Sequence, residues 1–199
     1  MEASFIFGAS FNTIGGNGTI PFKDLGCVEG FADEDQIQTA YTDEFGTTQM
    51  KMYVYFGEWL DDEYNPVEDT AGIAQGGSAW FISSEPKSIQ TSGEVSRAPF
   101  VHTFTESSQL IASAFPQAFC PNSANVSWGV SDESQIQTAY TDENGTSQMR
   151  MYVYFGEWLD DEYNTLDPDQ AIVDAGMGFW IILNDASETF TETSPLAAE

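Results

Sequence analysis

The chain predicts an all-β fold made of two tandem homologous modules, each a β-sandwich or barrel of short strands. Three observations carry that expectation: a near-verbatim internal repeat, two-residue alternation in place of helical periodicity, and frequent Ser, Gly and Pro between short apolar runs. Residues 36–65 recur at 135–164 with three of thirty positions changed, Phe45/Asn144, Thr48/Ser147 and Lys51/Arg150. The match continues more loosely, Gly76-Gly77-Ser78-Ala79-Trp80 against Gly176-Met177-Gly178-Phe179-Trp180, one residue longer in the second copy. A unit of roughly 100 residues is an ordinary domain size. The expected division is therefore 1–94 and 95–199, the boundary lying in the Pro-, Ser-, Lys- and Gly-bearing stretch 83–99.

In chain order, Ala3-Ser4-Phe5-Ile6-Phe7-Gly8 is apolar and β-prone. It is expected to complete the first module as an added strand, or to insert into a neighbouring subunit, with 100–104 in the matching role for the second module. The repeated stretch reads as a hairpin. Ile136, Thr138 and Tyr140 alternate with polar residues, Asn144-Gly145 marks a two-residue type I′ turn, and Met149, Met151, Val153 and Phe155 alternate after it. That turn sets Tyr140 opposite Met149, Thr138 opposite Met151 and Ile136 opposite Val153, with Thr39 opposite Met52 in the first copy. Phe45 at the first copy's turn would carry a costly positive φ, so that turn is expected to relax to another type or to hold Phe45 by a contact. The other hairpin face bears glutamines, Lys51 or Arg150, and the tyrosines Tyr53, Tyr55, Tyr152 and Tyr154. It suits either a covering second sheet or a partner. Acidic loops follow at 57–65 and 156–164, then a short helical turn at 170–174 and the buried strands 79–82 and 179–183. Further strands are read at 88–95 and 100–104.

Composition narrows the partners. Hydrophobic content of 41% supports folded cores, so the acidity does not signal disorder. The 32 acidic and 5 basic side chains give a net charge of −27, which repels a phosphate backbone or an anionic membrane surface. Nucleic acid is excluded as a partner. Copies of the chain repel one another too, unless cations screen or bridge the carboxylates. No apolar run approaches the ~18–20 residues that span a bilayer, and the amino end lacks the pattern of a signal peptide. Cys27 and Cys120 occupy non-equivalent places, too few for a zinc site; they form one inter-module bridge or remain thiols.

Candidate chemistry concentrates in the repeated acidic loops. Asp61, Asp62 and Asn65, with Asp160, Asp161 and Asn164, offer oxygens of the kind calcium takes, although the spacing is not that of an EF-hand. The alternative is a solvated loop. Trp59 with Tyr64, and Trp158 with Tyr163, flank these acids and would stack on sugar rings if exposed, or close the core if buried. Trp80 and Trp180 sit in apolar strands and read as core. Catalysis finds little support. His102 is the only histidine, so a histidine-based site would exist in one copy alone, and neither cysteine lies near a recognisable base.

Several stretches together form a longer pattern: Phe115-Pro116-Gln117-Ala118-Phe119, the DESQIQTAY segment, an aromatic hairpin, an acidic Trp-x-x-Asp stretch, Gly176 to Trp180, and Ser92 to Val95. This order resembles a repeat of large secreted or surface-exposed bacterial proteins of poorly characterised function. The first copy departs from it where 8–17 replaces the proline segment. The resemblance implies a β-rich extracellular module and supplies neither active site nor ligand. The expected function is that of a non-enzymatic extracellular or cell-surface structural protein. It would self-assemble, as in a filament, or dock a surface partner in adhesion. Its contacts would be sheet edges, Phe5 and Phe7, and the tyrosine-rich faces. The alternative is a pair of carbohydrate-binding modules using Trp59, Tyr64, Trp158 and Tyr163.

Overall fold

The computed structural model describes residues 3–9, 19–104, 106–144, 146–185 and 188–197. The protein is all-β. Its strands are β1 (Ala3–Gly8), β2 (Thr19–Pro21), β3 (Gly26–Cys27), β4 (Gln36–Thr42), β5 (Thr48–Tyr55), β6 (Trp59–Leu60), β7 (Gly72–Ala74), β8 (Ser78–Ser83) and β9 (Ile89–Gln90). They continue as β10 (Phe100–Thr103), β11 (Ser108–Ala112), β12 (Val126–Gly129), β13 (Gln135–Thr141), β14 (Ser147–Tyr154), β15 (Trp158–Leu159), β16 (Gly178–Ile182) and β17 (Thr189–Glu192). One 3₁₀ turn, Phe22–Asp24, interrupts them, and 170–174 is turn and extended chain rather than helical.

Two five-stranded antiparallel sheets have the same internal order, β1-β8-β4-β5-β6 and β11-β16-β13-β14-β15. The repeat in sequence is thus a repeat in topology. It makes β1 the counterpart of β11 and not of 100–104. The opening strand pairs within its own chain, Ile6 opposite Trp80 as Leu110 is opposite Trp180. A second, smaller layer covers one face of each sheet: β3-β9 in the first repeat, the three-stranded β10-β17-β12 in the second. The buried rings divide accordingly. Phe7, Phe22, Trp59 and Phe81 belong to one apolar cluster, Phe104, Phe119, Trp158, Phe179 and Phe190 to the other.

The hairpin register differs by one residue from the sequence expectation. Thr138 lies opposite Arg150 and Gln137 opposite Met151; in the first copy Thr39 faces Lys51. Thr138 is buried whereas Met151 is exposed, so the two occupy opposite faces. The cause is the aspartate that opens the turn. Asp142 Oδ1 accepts the amides of Asn144 and Thr146, and the Asp142 amide donates to the Thr146 carbonyl. Three residues, not two, then form the loop, as in a type I turn followed by a left-handed residue. Gly145 itself lies outside the described residues, but its counterpart Gly46 has φ +78°, and Asp43 bonds Phe45 and Thr47 in the same way. Phe45 accordingly carries no positive φ and no holding contact; it is 83% exposed.

A slip of one residue exchanges the two faces of a hairpin. Ile136 shares the core face with Tyr152, while Met149, Met151 and Val153 take the opposite side. The tyrosine face is the one that a second layer covers. Tyr53 packs on Phe22 at 4.6 Å between ring centroids, Tyr55 on Phe31 at 5.3 Å, Tyr154 on Trp158 at 5.3 Å, and Tyr152 is buried.

The other faces of the two main sheets meet each other about an approximate two-fold axis. The Gly8 amide donates to the Gly176 carbonyl and the Ala112 amide to the Gly76 carbonyl, both at 2.8 Å. Phe7 bridges to Met177 as Ile111 bridges to Gly77. Equivalent positions touch at the axis, Gly8 against Ala112 and Ser78 against Gly178. A Cβ on Gly8 would stand 2.1 Å from the Ala112 Cβ, and one on Gly178 2.4 Å from the Ser78 Cβ. Trp80 and Trp180, expected in the cores, lie on these facing surfaces and are half-buried; the Trp80 indole donates to Ser4 Oγ.

Gly178→Val should therefore destabilise the protein by about 1–3 kcal/mol, the usual cost of overpacking. Urea denaturation of the variant beside the parent measures it; an unchanged midpoint would mean that the sheets can separate freely.

Candidate functional site

Each acidic loop is built by its first carboxylate. Asp61 Oδ1 accepts the amides of Glu63 and Asn65 at 3.0 and 2.9 Å. Asp160 Oδ1 accepts those of Glu162 and Asn164 at 2.9 and 2.8 Å. One oxygen of the first carboxylate offered to calcium in each loop thus serves the loop's own backbone. Among the described residues no group of three or more His, Cys, Asp or Glu side chains is clustered to hold a metal. The hairpin turns at Asp43 and Asp142 follow the same plan. In all four cases bonds from backbone amides, first that of Thr47, Asn65, Thr146 or Asn164, hold the carboxyl below the ordinary aspartate value of 3.8.

The loops also fix the aromatic residues beside them. Trp59 and Trp158 are 5% and 0% exposed, so neither indole offers a platform to a sugar ring. Trp158 is held from both sides of its peptide: its N–H donates to Asn122 Oδ1 and its carbonyl accepts from Asn122 Nδ2. Tyr64 and Tyr163, by contrast, are 65% and 68% exposed, at φ +61° and +63°. Left-handed backbone is uncommon for a bulky residue. Each ring pairs with a phenylalanine that sequence reasoning missed, Tyr64 with Phe56 at 6.3 Å and Tyr163 with Phe155 at 6.5 Å. Phe56 and Phe155 are themselves exposed, each just before a positive-φ glycine, Gly57 or Gly156.

Apart from Val28, Val101 and Leu196, the other exposed large apolar side chains among the described residues fall on the repeated hairpin. Tyr41, Met50 and Met52 are matched by Tyr140, Met149 and Met151. Beyond the two residues that pair with β6, the outer side of β5 has no strand beside it among the described residues, and the same holds for β14 beyond β15. Lys51 and Arg150 stand midway along these edges, Lys51 5.5 Å over Tyr53 and Arg150 4.8 Å over Tyr140. Phe5 and Phe7, expected at an assembly contact, pack inside the first repeat, Phe7 buried and Phe5 against Phe81 at 5.5 Å.

His102 is enclosed. Its ring stacks on Phe190 at 4.0 Å, and Nε2 lies 3.8 Å from Glu192 Oε2, which accepts the Ala114 amide at 2.7 Å. Both side chains are buried, so the pair faces no open site. Cys27 and Cys120 are free thiols, and burial pushes Cys120 up. No helix among the described residues is long and apolar enough to cross a membrane.

No protein-family model, curated protein or solved structure matches the chain.

The sign of the acid response follows from the turns. A carboxylate whose folded value is depressed contributes stability above its unfolded value, and that contribution is lost as pH falls through the folded value. Asp142→Ala is therefore expected to lower Tm at neutral pH and to lower it less, relative to the parent, well below pH 3.8. Thermal melts of both proteins across that range check this. An equal deficit at both ends would place the aspartate's role elsewhere.

Tyr163→Gly relieves the left-handed strain and should raise stability by up to about 1 kcal/mol. A loss of stability on urea denaturation would show that the Phe155 contact outweighs the strain.

Proposed function

We propose that the protein is a non-enzymatic structural building block of an extracellular or cell-surface setting. It self-assembles or docks a partner through the edges and exposed apolar faces of its two hairpins. The observation that carries this reading is the identity of what the repeats expose. Across 36–65 and 135–164 the solvent-facing Tyr, Met and Phe residues are the same in both copies, apart from Phe45 at the hairpin turn, which is Asn144 in the second. Outside that stretch even core positions have drifted, Ile6 to Leu110 and Ile20 to Phe119 by strand register. A requirement for folding alone constrains buried positions more than exposed ones. An apolar surface presented twice on unpaired edges suits repetitive docking, since two linked contacts bind far more strongly than one.

The tyrosine-rich faces leave this reading because they are covered within each repeat. Lys51 and Arg150 supply the restraint an exposed edge needs, discouraging indiscriminate pairing. The charge of −27 adds a second restraint, which salt relieves. Association should therefore rise with ionic strength. Light scattering and negative-stain microscopy of the intact chain at low and high salt would reveal it. Replacing Met50, Met52, Met149 and Met151 with serine should abolish the assemblies while leaving Tm unchanged. A chain that stays monomeric at every salt and protein concentration, with no ligand for its hairpins, would overturn the reading.

One observation favours a second reading, glycan binding moved from the buried tryptophans to the exposed Phe56/Tyr64 and Phe155/Tyr163 pairs beside their acids and amides. Titration with neutral oligosaccharides separates the two, because loss of binding in Tyr64→Ala with Tyr163→Ala would support sugars over assembly.

A further inference from the structure

The two repeats differ at one place where the pseudo-symmetry leads one to expect a strand. In the second repeat β17 is a central strand, bonded to β12 on one side and to β10 on the other. In the first repeat its counterpart β9 is bonded to β3 alone among the described residues. Where a further strand would run lies an open groove of about 650 Å³, its lining including Phe5, Phe7, Ile89, Gln90, Gly176 and Met177.

Two glycines related by the axis record the difference. Gly76 and Gly176 have the same backbone, φ +75° and +79°, and accept the two reciprocal bonds from Ala112 and Gly8. Gly76 is roofed by β10: a Cβ there would stand 2.6 Å from the His102 ring and 2.8 Å from the Phe100 ring. The same Cβ on Gly176 would meet nothing within 4 Å among the described residues. The chain itself thus displays how this groove is filled. Phe100 and His102 turn inward while Val101 is exposed, the period of a strand laid along a sheet edge.

We propose that the groove beside β9 is a binding site for an extended segment of another protein, one with apolar or aromatic side chains at alternate positions. It would be taken up as an antiparallel strand in the place β10 holds in the second repeat. The chemistry of the partner follows from the lining. Where β10 meets the buried Glu192, the first repeat has Ile89, so the inward positions should be apolar. Asp24 lines the groove, and the whole chain bears −27, so the segment should carry no net negative charge. That argues against a second copy of this chain as the donor. No lining residue of the groove belongs to either hairpin, so the site stands or falls independently of assembly through their edges.

The probe is a synthetic peptide of residues 97–104, Arg97 to Phe104, which has the required alternation and no acid. Fluorescence anisotropy with the intact chain should give saturable one-to-one binding. Ser92→Trp and Gln90→Trp, which add bulk at exposed positions of the lining, should each weaken it at least tenfold without changing Tm. A peptide with proline at the Val101 and Thr103 positions, unable to donate along the edge, should lose binding. Amide NMR then places the peptide: the resonances of Ile89, Gly176 and Met177 should move and that of Gly76 should not. Failure to bind at millimolar peptide would overturn the proposal. So would shifts at Gly76 and Phe190, which would mean exchange with β10. Shifts of the groove amides with protein concentration alone would make a second copy the occupant, and the separate-partner assignment would be wrong.

Discussion

Two backbone hydrogen bonds, Gly8 to Gly176 and Ala112 to Gly76, tie the repeats together, and most of the architecture follows from them. They require main chains to approach closely at the axis. Only small residues permit that, and the chain has Gly8 against Ala112 and Ser78 against Gly178 there. Once those contacts form, the ends of β1 and β11 are met by the turns at 176–177 and 76–77, Phe7 bridging to Met177 and Ile111 to Gly77. The end of a strand edge that would otherwise be open to pairing is closed there inside the molecule. On the far side of each main sheet, β5 and β14 have no neighbouring strand among the described residues beyond their pairing with β6 and β15.

The acidity has two separate physical roles. Four aspartates, Asp43, Asp61, Asp142 and Asp160, act as local scaffolds, each offering one oxygen to two amides of its own turn. This is the short-side-chain bonding that makes Asp a turn residue, and it gives the first aspartate of each repeated acidic motif a role in its own turn. The other carboxylates are largely solvated and make up the long-range field. That field keeps copies apart at low ionic strength and sets the sign of any partner.

The second repeat is the more completely covered of the two. Phe100 and His102 roof Gly76, and Phe104 with Phe190 extends the aromatic cluster beneath. Buried polar groups are answered case by case. Asp35 caps the Ala32 amide in the first repeat; in the second that position is Ser134, and Glu188 reaches across to the Ser131 amide at 2.6 Å. Such exchanges keep the strand order while the side chains differ, as expected when polar satisfaction and not residue identity is the constraint.

The sequence by itself determined the all-β class, the internal repeat, the existence and extent of both hairpins, and the burial of Phe179 and Ile181. Alternation and turn residues are local signals, and these features depend on local signals. The register was misread at a local level too, because Asn144-Gly145 is a strong two-residue signal while Asp142 enlarges the loop through its side chain. That one residue reversed the faces, hiding the tyrosines and exposing Met149 and Met151. Tertiary structure alone decided that Trp80 and Trp180 lie between the sheets. It also decided that β11, not 100–104, is the counterpart of the opening strand, and that β10 covers Gly76 whereas no described residue covers Gly176. Those outcomes depend on which surfaces meet across about a hundred residues of chain. No periodicity within a single strand encodes them.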